Sequence, residues 1–283
     1  MTIALVSTVQ TSQGTPSTHA AITGIATGDL YIDIAHNTGG GTVPVLDPTS
    51  TFTTITTGTD GGGRNFTYGS RLRTGTEGAL ATTSGSTVLA DIFFALTGVD
   101  QTTPIESIVS ANGTASATRT VTGSTPTKDN CWHVVVYANT VNANTISTPP
   151  PGYTLLGNRA VSGQGNIYAY YKDLGAGSSG VSTGNVDAVY PGTASGRVVG
   201  FIVRPAAATL PSLSIGDVTV DRQDGTASAP VTLSSPAPVG GVTVNYATQD
   251  DTATAPAYYT AATGTLTFAE GESTKNVTVS IVP

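Results

Sequence analysis

Four groups of side chains in this sequence are of types that do chemistry. Cys131 and His133 lie two positions apart in Asn-Cys-Trp-His-Val-Val-Val-Tyr. On a strand that spacing puts a thiol and a base on one face, yet same-face neighbours of one strand rarely reach attack geometry. A lone cysteine in an apolar stretch reads instead as a small buried residue. Asp29, Asp33 and Asp91 offer carboxylates for acid–base work of the glycosidase kind. Asp29 and Asp33 share a strand face four residues apart and are expected to face solvent, and Asp91, inside Val-Leu-Ala-Asp-Ile-Phe-Phe-Ala-Leu, is expected to bond a turn or an arginine. The triple glycines at 39–41 and 61–63 are followed by no Gly-Lys-Ser/Thr, so neither makes a phosphate loop. No Gly-x-Ser-x-Gly elbow precedes a helix, which leaves a serine hydrolase without support.

The fourth group is aromatic. Trp132, Tyr153, Tyr168 and Tyr170 are the candidate glycan-binding residues, with Tyr137 and Tyr171 beside them and Asn139, Asn142, Asn144 and Gln164 near in sequence. Sugars dock on aromatic faces flanked by hydrogen-bonding side chains. Tyrosine in strands, however, more often serves core and cross-strand packing, so packing ranks first and glycan binding second.

The elements that would position these groups are strands. Charged residues make up only 10% of the 283, and 34 glycines with abundant Thr and Ser fill the rest. Helix surfaces usually carry Glu, Lys, Ala and Leu, whereas a Thr/Val/Ser/Gly surface suits strands and tight turns. The expected class is all-β. Residues 29–35 alternate Leu30, Ile32 and Ile34 against Asp29, Tyr31 and Asp33, a period of two. Residues 88–96 form a nearly continuous apolar run, as in a strand buried on both faces.

One β-motif is used twice. Phe52-Thr53-Thr54-Ile55 and Tyr153-Thr154-Leu155-Leu156 lie 101 residues apart, as do Asn65-Phe66-Thr67-Tyr68 and Asn166-Ile167-Tyr168-Ala169. A shared offset is the mark of an internal repeat. The copies are expected over about 29–99 and 130–203, joined by a polar bridge at 97–128 whose only apolar cluster is Ile105, Ile108 and Val109. Turn residues every 10–15 positions favour a sandwich or jelly roll over βαβ units. Residues 1–204 are therefore expected to form one double-sheet sandwich of two related halves. Pro205 to Pro211 has the composition of a short stiff linker. Beyond it the alternations Val242/Val244/Tyr246, Leu266/Phe268 and Val277/Val279/Ile281 predict a second, smaller sandwich over 212–283.

The net charge is −7 and no Lys or Arg run exists, so nucleic-acid binding through phosphates lacks its basic footprint, as does docking on an anionic membrane. No stretch approaches the ~20 apolar residues of a membrane span. Met1 to Val6 has no basic flank or long apolar core and does not read as a signal peptide.

Two resemblances follow. Leu213-Ser214-Ile215-Gly216-Asp217-Val218, Val242 to Thr248, Gln249 to Ala255, Tyr259 to Phe268 and Glu270 to Lys275 resemble the Calx-β family in order and spacing over 211–283. The resemblance implies an immunoglobulin-like sandwich and, in some members, Ca²⁺ held at one end by clustered carboxylates. The matching positions here are Asp221, Asp250 and Asp251; Asp251 stands where glycine is usual, and Tyr258 where an acid is usual. The family's later acidic segment and last two strands have no counterpart before Pro283. Ca²⁺ takes about six to eight oxygens, which three aspartates do not supply without backbone carbonyls or a neighbouring chain. A sandwich lacking strands also exposes a sheet edge, which another subunit or chain is expected to cover.

Pro149 to Gly157, Tyr168 to Lys172 and Val198 to Phe201 look like the β-rich modules of tailed-phage virion proteins. That resemblance implies a structural or adhesive piece of a capsid or tail. The expectation is a non-enzymatic virion component, made in a host cytoplasm and partnered by other virion proteins and by itself, with a host-surface glycan as a further partner. The rival is a carbohydrate-binding module or bacterial adhesin domain.

Overall fold

The computed structural model describes residues 2–6, 10–13, 17–19, 24–37, 45–46, 52–59, 64–74, 80–83, 89–140, 145–161, 165–207, 210–238 and 240–283. Two compact units are present, Thr2–Ala206 and Ala207–Pro283. Among the described residues the secondary structure is antiparallel strand with one 3₁₀ turn. No helix among them is long and apolar enough to cross a membrane.

The larger unit opens with β1 (Ala4–Leu5), β2 (Gln10–Gln13), β3 (Ser17–His19), β4 (Leu30–Asn37), β5 (Val45–Leu46), β6 (Thr53–Thr59), β7 (Asn65–Leu72), β8 (Leu80–Thr83) and β9 (Leu89–Thr97). It continues with β10 (Ile105–Val121), β11 (Trp132–Asn139), β12 (Thr154–Val161), β13 (Gly165–Asp173) and β14 (Val186–Val203). One sheet runs β1-β9-β4-β7-β6, with β2 also on β9; the other runs β10-β14-β11-β13-β12. In each, the last strand lies between the first and second, and the fourth between the second and third.

The correspondence extends to register. Leu5 pairs with Leu96 and Ile105 with Val203. Ser17 pairs with Thr82 and Thr118 with Val189. Even the short pairing of Leu46 with Thr82 has its counterpart in the bridge of Thr148 to Val189. Residues 97–128, expected as a polar bridge, thus contain the 17-residue β10, the opening strand of the second half. It was hidden because most of its described residues are exposed or half-buried, so the strand lacks the apolar alternation of a core strand.

The main core lies between the two sheets. Leu30, Ile32, Ile34, Phe66, Tyr68, Phe94 and Leu96 of one meet Trp132, Val134, Val136, Ile167, Phe201 and Val203 of the other. The opposite face of the second sheet carries its own cluster, Val135, Tyr137, Tyr168, Tyr170 and Val198, covered by Val121, Val186, Ala188 and Tyr190. Those covering residues belong to the ends of β10 and β14, which pair along their length with register shifts at Gly113/Ser116 and Ser116/Thr118. The long β10/β14 ribbon folds back over its own sheet, and the hydroxyl of Tyr137 donates to the Val186 carbonyl at 2.8 Å.

Asp100 fastens the junction of the halves. Its Oδ1 accepts from Thr102 N, Thr103 N and the Thr102 hydroxyl at 2.8 to 3.0 Å, the Asx-turn pattern. Its Oδ2 takes Lys128 Nζ at 2.8 Å and faces Arg204 at 3.5 Å. The Lys128 bond and the turn amides hold this carboxyl far below the usual range. Pro205 bridges Val99, and Ala206 N donates to the Gly98 carbonyl. The first two residues of the expected 205–211 linker are therefore part of the larger unit.

The smaller unit contains β15 (Leu213–Ile215), a 3₁₀ turn (Arg222–Asp224), β16 (Thr226–Leu233), β17 (Val242–Ala247), β18 (Thr263–Phe268) and β19 (Thr274–Ser280). A three-stranded sheet, β15-β16-β19, faces a two-stranded one, β17-β18. Val231, Leu233, Ala237, Phe268 and Val277 form its buried core.

Candidate functional site

The aromatic group does not form one surface. Trp132 packs in the core between the sheets, while Tyr137, Tyr168 and Tyr170 lie in the cluster on the opposite face. Period-two geometry imposes this split: Tyr137 pairs with Tyr168 and Val135 with Tyr170, whereas Trp132 pairs with Asp173. Trp132, Tyr168 and Tyr170 are exposed by only 4%, 7% and 4%, too little to dock a sugar ring. Tyr153 is half-buried, and its hydroxyl is hydrogen-bonded inward to His133 Nδ1 at 2.6 Å. Burial, with the charge of Lys172, pushes the imidazole down to about 4, so His133 is neutral over the physiological range.

His133 is on the face of Val135 and Tyr137, where its ring pairs edge-on with Tyr153. Cys131 is fully buried and donates to the Lys128 carbonyl. Burial and Glu106 push its thiol up to about 11, the opposite of what an attacking thiolate needs. Asp29 and Asp33, expected at the surface, are buried at 4% and 3% exposure. Asp29 caps its own turn, accepting from Ala26 N at 2.7 Å. Asp33 points from a strand hydrogen-bonded on both sides, paired with Gly69 and Phe93, and this central position removes it from water. Asp91 is also fully buried and lies opposite Ala35.

In the smaller unit the three aspartates stand in different settings. At the 3₁₀ turn Asp224 Oδ2 accepts from Asp221 N at 2.8 Å, and Asp224 N donates to the Asp221 backbone carbonyl. Asp250 Oδ1 accepts from the Tyr259 hydroxyl at 2.6 Å and from Ala255 N at 2.8 Å; those two bonds hold its carboxyl below the usual range. Asp251 is exposed. Among the described residues no group of three His, Cys, Asp or Glu could hold a metal ion, so the expected Asp221/Asp250/Asp251 set is not brought together.

Taken by itself and among the described residues, the smaller unit leaves part of its inner face uncovered. Leu213 and Ile215 pair with Leu233 and Val231, and cross-strand partners share a face. Leu233 and Val231 are buried, but Leu213 is 44% and Ile215 61% exposed. Two strands face three, and β18 lies against β19, so the strand left uncovered is β15. β17 has one partner, β18, among the described strands. At one end the sandwich opens as a cleft of about 400 Å³ lined by Val220, Val279, Ile281 and Tyr258. There Arg222 lies 5.1 Å from the Tyr258 ring centre and donates to the carbonyls of Val282, Ala257 and Pro283. Sequence alternation finds the inward residues of β15 but cannot tell whether anything lies over them.

The larger unit is thus a duplicated β-sandwich, and the smaller one a sandwich with an open side. The Calx-beta domain family matches residues 207–283, so the smaller unit is similar to an immunoglobulin-like Calx-beta domain. Neither the curated proteins nor the solved structures contain a match to the chain.

Proposed function

We propose that this is a non-enzymatic structural protein that assembles with copies of itself and with other β-rich proteins through the open side of its Calx-beta-like unit. The observation that carries this reading is the exposure of Leu213 and Ile215 on a face whose neighbours are core. Such a face, next to a strand with a free row of backbone donors and acceptors, accepts an added strand. The setting that suits it is a phage or phage-like particle, as a capsid decoration or a tail or spike component. There many weak strand contacts act together, and the exposed face of the assembled array would meet the host surface.

Glycan binding through Trp132, Tyr153, Tyr168 and Tyr170 loses support, because those residues are divided between two buried faces. The assembly reading is tested by the solution mass of the full chain by sedimentation at micromolar concentration. A dimer or larger species that Ile215→Lys reduces to monomer is the expected result; a monomer with the wild-type sequence counts against self-association through this edge.

A further inference from the structure

A pocket of about 410 Å³ opens at one end of the larger unit, within the ~300–1,000 Å³ typical of ligand sites. Leu30, Leu72 and Ile105 supply its apolar wall, and Thr53, Ser70 and Thr103 supply hydroxyls. Thr53 and Thr103 are exposed, so the pocket is open to solvent on that side.

The second half of the unit shows what the same fold places at the equivalent position. Leu30 lies opposite Leu72 and Leu96; its counterpart, opposite Asp173 and Val203, is Trp132. Ser70 lies opposite Ile32; its counterpart, opposite Val134, is Tyr171. Trp132 and Tyr171 stack with ring centres 4.1 Å apart and planes 25° from parallel. Where one half packs two flat rings, the other has a leucine, a serine and a space.

We propose that this space binds one pyranose ring of a glycan. A flat ring with C–H faces fits a site that elsewhere in the same fold holds stacked rings, and Leu30, Leu72 and Ile105 offer it an apolar wall. A purely apolar occupant would bury the hydroxyls of Thr53 and Ser70 against nothing polar, which is costly; a sugar carries hydroxyls around its rim to meet them, and the Thr103 hydroxyl, which accepts from Arg204, keeps its proton to donate. A phosphate-bearing ligand is disfavoured because, among the described lining residues, the one charged side chain, Arg71, has its guanidinium 5.5 Å from the ring centres of both Tyr31 and Phe52. This site is distinct from the Trp132/Tyr153/Tyr168/Tyr170 group, and the inference does not rest on the assembly reading.

The test is titration of the full chain, followed by NMR, with glucose, galactose, mannose and N-acetylglucosamine. Sorbitol serves as an acyclic control and phenol as a probe for an aromatic side chain. At least one pyranose should bind saturably with Kd on the order of millimolar, and sorbitol should not. Ser70→Tyr should remove that binding by restoring the ring present at Tyr171. Thr53→Tyr changes an exposed strand residue, so it should keep the melting temperature and still weaken binding by about tenfold or more. Absence of saturable binding by all four sugars to about 100 mM, binding undiminished in Thr53→Tyr, or binding of phenol alone would each overturn the proposal.

Discussion

Ile55 and Leu156 hold the same place in two different sheets. Pairing of β6 with β7 slips between Thr54 and Thr56, and pairing of β12 with β13 slips between Leu155 and Gly157. The extra residue of each bulge is 8% exposed and belongs to the shared core. A bulge re-aims one side chain at the cost of one ladder position, and here the same device feeds the core from both sides.

Truncating either residue should therefore cost about the same. Ile55→Ala and Leu156→Ala are each expected to lower unfolding stability by about 2–4 kcal/mol, read from denaturant midpoints at unchanged slope. A near-zero value for one of the pair would show that the two bulges do not bear on one core.

The fold-back of β14 depends on glycine at 196. A Cβ there would stand 2.0 Å from the Ala138 carbonyl oxygen, and that backbone is hydrogen-bonded in a central strand. Gly196→Ala should destabilise the larger unit by roughly 2 kcal/mol or more, visible as a fall in its melting temperature. An unchanged melting temperature would mean that β11 and β14 can part locally at no cost.

His133 makes stability depend on pH in a defined window. Its folded value is about 4, against roughly 6.5 when unfolded. Between those values the unfolded chain binds the extra proton, so stability falls as pH falls from about 6.5 to 4, by up to about 3 kcal/mol. Above that window the group contributes no slope. His133→Gln should flatten this part of the stability curve relative to wild type; parallel curves would place the proton uptake elsewhere.

Asp250 is committed to holding a loop. Asp250→Ala and Tyr259→Phe should both lower the melting temperature of the smaller unit without added metal, because each breaks the 2.6 Å bond. Millimolar Ca²⁺ should leave the wild-type transition where it is. A calcium-dependent rise that disappears in Asp250→Ala would show that the loop rearranges to build a cation site.

The all-β class was legible in composition and in period-two runs such as Leu30/Ile32/Ile34, because burial on a strand is written residue by residue. The resemblance of the smaller unit was legible for a similar reason: strand faces and turn residues recur at set spacing. Register across strands is not written that way. Alternation put Tyr168 and Tyr170 on one face of β13, but only the pairing of Tyr137 with Tyr168 and of Trp132 with Asp173 decided that the tryptophan faces away from them. Asp29 and Asp33 read as surface residues because a carboxylate in water costs least. Neighbouring strands on both sides of β4, and the Ala26–Asp29 turn, buried them. β10 has a weak apolar pattern, and it became a strand through its long pairing with β14. By itself the sequence determined which elements are strands and which residues alternate along them. Tertiary structure alone decided which faces meet, since that depends on contacts between residues far apart in the chain: it filled one half with the stacked Trp132 and Tyr171, left a pocket at the equivalent place in the other half, and kept Leu213 and Ile215 exposed.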